Sequence, residues 1–194
     1  MAEPVPLAGV QGLPPTLQAR FDAAGLQVDG VCTSLSRFAL QWRQTAALLE
    51  DLSADEADAL GAMMPLVRAR AGQVLIREGD TGDWMLLLLG GTVDVIKTSE
   101  TGEVSRLAVI KAGAAVGEMS MLDAAPRYAT CLAIEEVHAG VLTRAAIARL
   151  IQEHPAIGAK LLVKLTQLLA QRLRNTSNQL VKLLQKHEGL PQSG

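Results

Sequence analysis

One segment of the sequence, residues 117–130, combines residue types that can hold an anion. In it Gly117 and Glu118 form a pair, and Arg127 follows Glu118 by nine positions. Glycine permits a positive φ and a close approach of the backbone, and a helical turn after it would direct free N–H groups at an anion. Arg127 adds a fixed charge, because a planar guanidinium can hold two phosphate oxygens at once.

The acidic residue of this segment predicts a contact of a different kind. Glu118 has the same charge sign as a phosphate and is therefore excluded as a phosphate ligand, but its carboxylate can accept from a ribose hydroxyl. One anion-binding end and one sugar-binding end would suit a nucleotide. The alternative is an ordinary surface turn in which Arg127 is a solvated charge.

The segment resembles the phosphate-binding cassette of cyclic nucleotide-binding domains, the family of catabolite activator protein and the regulatory subunit of protein kinase A. Residues 72–83 (GQVLIREGDTGD) resemble the first hairpin of that family, and residues 91–95 (GTVDV) are also family-like. The resemblance covers roughly residues 52–184. We call residues 117–130 the cassette from here on.

The resemblance implies a ligand site in the cassette. Gly117, Glu118 and the backbone N–H of Ser120 would meet the ribose and the phosphate, and Arg127 would meet the cyclic phosphate. The predicted ligand-binding residues are Gly117, Glu118, Met119, Ser120, Arg127, Tyr128 and Ala129. The implied ligand is a cyclic nucleotide, with cAMP expected first and cGMP or a cyclic dinucleotide as alternatives, and no cofactor is expected.

Two positions depart from the family pattern. Tyr128 stands where relatives usually have Ser, Thr or Ala, and Val116 stands where Phe is common. On a strand starting at Tyr128, the tyrosine points either toward the pocket with Thr130 and Leu132 or toward solvent. An inward ring would offer a stacking face and would favour a larger ligand such as cyclic di-GMP.

Composition narrows the classes of function. The chain has 194 residues and a net charge of −2, which argues against a general nucleic-acid or membrane-surface binder. Its two cysteines, Cys32 and Cys131, are far apart and indicate neither a disulfide framework nor a zinc site. Jelly rolls also house metal enzymes, but His138 is the one histidine in the strand region, so we expect no metal and no enzyme.

The patterns of turns and apolar residues predict an α+β fold, an eight-stranded antiparallel β-roll (jelly roll) flanked by N-terminal helices and a long C-terminal helix. Five segments are expected. They are a tail with a short helix (1–33), a helical segment (34–65), the β-roll with the cassette (66–143), C-terminal helices serving as lid and dimerisation element (144–185), and a tail (186–194).

The helices have specific expected boundaries. Ser34 would cap an amphipathic helix running to Leu49, and the capping box 53–56 would start a second helix. Thr143 would cap a third helix ending at Glu153, and the longest helix would run from about Ala156 to Gln185. Along it we define a seam at steps of three or four residues, formed by Leu162, Leu165, Leu169, Leu173, Thr176, Leu180 and Leu183.

The seam predicts a homodimer through the C-terminal helix, the alternative being a monomer in which this helix only covers the barrel mouth. Residues 186–194 leave no room for a recognition helix, so we expect a stand-alone form without direct DNA binding. The first residues of the chain lack the charged and apolar regions of a signal peptide. No apolar run reaches about 18 residues, the length needed to span a membrane. We therefore expect a cytoplasmic protein without membrane contact. The expected function is a bacterial second-messenger sensor acting on an unknown effector protein; a degenerate, non-binding scaffold is the third alternative.

Overall fold

The computed structural model describes residues 13–42 and 47–188. Within these ranges six helices accompany nine strands in two antiparallel sheets. The helices are α1 (Pro15–Ala23), α2 (Leu35–Gln41), α3 (Ala54–Gly61), α4 (Glu118–Asp123), α5 (Arg144–Glu153) and α6 (Pro155–Glu188). The strands are β1 (Gln27–Val31), β2 (Pro65–Ala69), β3 (Val74–Ile76), β4 (Trp84–Gly90), β5 (Thr92–Thr98), β6 (Val104–Lys111), β7 (Ala115–Val116), β8 (Thr130–Ala133) and β9 (Val137–Thr143). The prediction of an α+β β-roll with N-terminal helices and a long C-terminal helix is confirmed.

The two sheets form the roll, and strand β4 organises its core. One sheet has the order β1-β2-β9-β4-β7 and the other the order β3-β8-β5-β6. Successive side chains of a strand point to opposite faces. Leu86 and Leu88 pack between the sheets, whereas Met85 and Leu87 pack against residues of α2, α3, α5 and α6. Burial on both faces explains why β4 reads as an almost unbroken apolar run.

Strand β1 is a ninth strand that the prediction of eight strands missed. It pairs with the edge of the first sheet, next to β2, and is largely exposed. Its sequence contains Asp29 and Gly30, and Gly30 has a φ of 58° at an irregularity of the pairing. An edge strand with one exposed face and a glycine bulge carries little of the alternation by which strands are recognised.

The predicted starts of α3 and α5 are confirmed, but that of α2 is partly wrong. Ser53 and Glu56 form both hydrogen bonds of the capping box, and the Thr143 hydroxyl accepts from the N–H of Ala146. Ser34 occupies the position before α2, but its side chain makes no capping hydrogen bond. Helix α2 ends at Gln41, far short of Leu49. Three stretches lie outside the described residues: 43–46, residues 1–12 of the predicted N-terminal segment, and residues 189–194 of the predicted C-terminal tail.

Helix α6 extends three residues beyond the predicted Gln185. The residues of the predicted seam are not all in the same environment, because some are buried and others are exposed. Leu165 is 1% exposed and packs with Leu161 in the core, whereas Leu162 is 38% exposed. From Leu173 onward the described seam residues are exposed. The first half of α6 is therefore a core helix of the domain, and the second half projects from it. None of the helices, within the ranges described, is long and apolar enough to cross a membrane.

Candidate functional site

The cassette begins with a glycine that the surrounding structure requires. Gly117 follows β7 and precedes α4, with a φ of 82° in the left-handed region. A Cβ atom at this position would lie 2.7 Å from Cδ1 of Ile76 and 2.8 Å from Nη1 of Arg127. Both the backbone conformation and the space beside Arg127 therefore exclude a side chain here. The first N–H groups of α4 have no acceptor within the helix, as at any helix start.

Arg127 is buried rather than a solvated charge, which excludes the surface-turn alternative. Only 3% of the residue is exposed, and burial lowers the pKa of its guanidinium. Nη1 donates to the carbonyl of Gly117 over 2.6 Å, and Nη2 donates to the carbonyl of Trp84 over 2.7 Å. The guanidinium also lies over the Trp84 ring, 4.5 Å from its centroid. The structure thus places a fixed positive charge beside the start of α4.

Glu118 is the first residue of α4, and one of its carboxylate oxygens has no hydrogen-bond partner among the described residues. The residue is fully buried, and one carboxylate oxygen, Oε1, accepts from Nη1 of Arg172. The other oxygen, Oε2, is buried and has no hydrogen-bond partner among the described residues. A buried acceptor without a donor is costly unless something supplies one. A ligand hydroxyl is a donor of the kind that this oxygen lacks.

Two arginines of the C-terminal helices fix the cassette from outside, and the sequence analysis missed both contacts. Arg172 of α6 also donates to the carbonyl of Ala115 over 2.8 Å. Arg144, the first residue of α5, donates through Nε to the carbonyl of Met121 over 2.8 Å. In the sequence Arg172 is one of several basic residues on the predicted C-terminal helix. It is 54 positions from Glu118, and no sequence pattern predicts a contact over such a separation.

The remaining predicted site residues are distributed around the cassette. Ser120 is buried and its hydroxyl donates to the carbonyl of Pro126 over 3.3 Å, while Met119 is 43% exposed. Tyr128 is 57% exposed and its ring lies 4.3 Å from Nζ of Lys97. Ala129 is half-buried. Both Tyr128 and Ala129 precede β8, so the strand alternation assumed for Tyr128 starts two residues too early.

Cys131 is a buried cysteine in the same core cluster as Trp84. It is 5% exposed, and burial raises the pKa of its thiol to about 12, so the thiol stays neutral near pH 7.

Among the described residues no group of three or more His, Cys, Asp or Glu side chains could hold a metal ion.

Comparisons with known proteins identify similar domains. Residues 66–154 match the model of the family described as "Cyclic nucleotide-binding domain". A cyclic nucleotide-binding domain from Methylobacillus flagellatus is 34% identical, with a TM-score of 0.72 over 81% of this chain and 88% of that one. The catabolite activator protein of Thermus thermophilus is 30% identical, with a TM-score of 0.64 over 71% of this chain and 62% of that one.

A curated relative carries the same similarity at the level of sequence. The "CRP-like cAMP-activated global transcriptional regulator" of Mycobacterium tuberculosis is 31% identical over 113 residues, which are 58% of this chain. The match spans 49%, or about half, of that regulator's length.

Proposed function

The chain belongs to the cyclic nucleotide-binding domain family, and we propose that it is a sensor that binds a cyclic mononucleotide, with cAMP as the first candidate and cGMP as the second. One observation carries this proposal: a buried arginine and a buried glutamate, Arg127 and Glu118, lie together at the start of one short helix. A cyclic nucleotide needs both a cation for its phosphate and an acceptor for its ribose 2′-hydroxyl.

The residues present fit such a ligand. A guanidinium has five N–H donors, so the bonds of Arg127 to the carbonyls of Gly117 and Trp84 leave donors for a phosphate oxygen. The unpaired Oε2 of Glu118 is an acceptor for the 2′-hydroxyl. The ligand would also make contact with Ser120 through its backbone N–H, and Met119, Tyr128 and Ala129 would lie around it.

The signal would leave the site through α6. Arg172 joins Glu118 to α6, so a ligand hydroxyl that binds Glu118 shares this carboxylate with the helix. A ligand that changes the strength of the ion pair between Arg172 and Glu118 would shift the equilibrium between different orientations of α6. The moved helix would present a changed surface to a separate effector protein, in a cytoplasmic sensor that is not itself an enzyme.

Hydrogen exchange tests this relay. With cAMP bound, amide exchange in residues 171–185 is expected to change relative to the free protein, whereas the non-cyclic 5′-AMP leaves it as it was. Arg172→Ala should abolish the change in 171–185 and retain exchange protection within the cassette. An identical change in Arg172→Ala and the parent would contradict a relay through this arginine.

The exposed half of α6 supports a homodimer. Leu173, Leu180 and Leu183 are 69%, 56% and 57% exposed on a helix that projects from the domain. Leu173→Glu would bury an unpaired charge in a helix contact, which is strongly unfavourable. Light scattering is expected to give a dimer for the parent and a monomer for Leu173→Glu.

The matched control is Asn178→Glu, which adds the same charge at an exposed position of the same helix outside the seam. This variant is expected to remain dimeric. A parent that is monomeric at tens of micromolar would refute the dimer.

Tyr128 tests the choice of ligand. Because its side chain is exposed and lies against Lys97, Tyr128→Ala is expected to leave the order of affinities for cAMP, cGMP and cyclic di-GMP unchanged. Competition of the three nucleotides against labelled cAMP measures this order. A changed order of affinities would indicate that the tyrosine ring contacts the base. A change in favour of cyclic di-GMP would make a cyclic dinucleotide the preferred ligand.

A further inference from the structure

The N-terminal helix reaches the anion site through an aromatic contact. Phe21 of α1 is 2% exposed and packs in the core between the two sheets. Its ring meets the Trp84 ring edge-on, with centroids 5.1 Å apart and planes at 88°. Such edge-to-face geometry is favourable for aromatic pairs and fixes the orientation of both rings.

Trp84 in turn supports Arg127. The guanidinium lies 4.5 Å from the centroid of the indole, and Nη2 donates to the Trp84 carbonyl over 2.7 Å. The indole nitrogen Nε1 is buried and has no hydrogen-bond partner among the described residues. Ring contacts rather than a hydrogen bond therefore hold the indole, and Phe21 supplies one of them.

The neighbouring residue of α1 holds the loop beside this stack. Arg20 donates to the carbonyl of Thr81 and pairs with Asp80 over 3.0 Å, while the Asp80 carbonyl accepts from the N–H of Arg127 over 2.7 Å. A Cβ atom on Gly82 of this loop would lie 2.6 Å from Nη2 of Arg127. Helix α1 thus touches both supports of the guanidinium, although it lies outside residues 66–154, which match the family model.

We propose that Phe21 is a positioning residue of the anion site, which acts through Trp84 to hold the Arg127 guanidinium in its binding orientation. Helix α1 is then a determinant of ligand affinity and not only a cover of the roll. The proposal rests on the proposed function for the identity of the ligand, but the stack of Phe21, Trp84 and Arg127 exists without it.

The test uses the full chain in a Trp42→Phe background, in which Trp84 is the one remaining indole. Phe21→Leu keeps an apolar side chain and removes the aromatic edge. Calorimetry is expected to give an affinity for cAMP lower by about fivefold, the factor that corresponds to an aromatic pair. The control Leu17→Ala alters another buried residue of α1 in the same core and should change affinity less than twofold.

A double-mutant cycle separates positioning from a general loss of stability. If Phe21 acts through the guanidinium, Phe21→Leu should cause no further loss of affinity in an Arg127→Lys background. Additive losses, or an equal loss in Leu17→Ala, would overturn the proposal.

The emission of Trp84 gives a readout that needs no nucleotide. Phe21→Leu is expected to shift this emission, whereas Leu17→Ala leaves it unchanged. A parent chain that binds no cyclic nucleotide would defeat the proposed function alone, and the emission shift would still support the stack. Unchanged emission in Phe21→Leu would overturn the stack whatever the ligand.

Discussion

Arg127→Ala is expected to weaken cyclic nucleotide binding at least tenfold. An anion that loses a buried, charge-assisted partner is destabilised by about 2–5 kcal/mol, by analogy with truncated charge pairs at interfaces. In this chain the arginine is 3% exposed and held over Trp84, so water cannot easily take its place. Calorimetric titration of parent and variant with cAMP measures the loss.

The variant also removes the donors to the carbonyls of Gly117 and Trp84, so we expect a lower melting temperature as well. Circular dichroism at the titration temperature checks that the fold is retained. Arg37→Ala is the matched control, because Arg37 is an exposed arginine of α2 outside the cassette. Unchanged affinity in folded Arg127→Ala would refute the cassette as the binding site.

Glu118→Gln is expected to produce the second largest effect. The substitution keeps the shape of the side chain and removes the charge, and a hydrogen bond to a charged group is worth about 1.5–3 kcal/mol. In the parent, the carboxylate accepts from Arg172, and in the proposed complex its other oxygen would accept from the ligand hydroxyl. The variant should bind cAMP about tenfold more weakly and lose its discrimination against 2′-deoxy-cAMP.

The comparison of cAMP with its 2′-deoxy analogue makes this prediction specific. In the parent the analogue should bind more weakly than cAMP, and in Glu118→Gln the two should bind almost equally. Glu136→Gln, at an exposed glutamate that pairs with His138 and lies outside the cassette, should leave both affinities unchanged. The same ratio of affinities in parent and Glu118→Gln would place Glu118 away from the ribose.

Features that depend on neighbours in the sequence were predictable. The capping box of Ser53 and Glu56 closes within one turn, and the positive φ of Gly117 follows from a glycine between a strand and a helix. The strand β4 was recognisable from its apolar run. In each case the local sequence carries the physical cause of the structure.

Features that depend on distant contacts were not predictable. Arg172 meets Glu118 across 54 positions, and Phe21 meets Trp84 across most of the N-terminal half of the chain. Neither pair has a spacing that periodicity can detect. The strand was expected to start at Tyr128, but residues 128 and 129 still belong to the turn of the cassette, and β8 starts at Thr130.

The most direct test is a calorimetric titration of the unmodified chain with cAMP, with 5′-AMP as the matched non-cyclic control. The proposed site has one guanidinium fork and one ribose acceptor at a fixed separation, so it should favour the cyclic phosphate, whose position relative to the 2′-hydroxyl is locked. We predict saturable binding of cAMP and at least tenfold weaker binding of 5′-AMP. Absence of saturable binding to cAMP, cGMP and cyclic di-GMP by the folded protein would contradict the proposal that this chain is a cyclic nucleotide sensor.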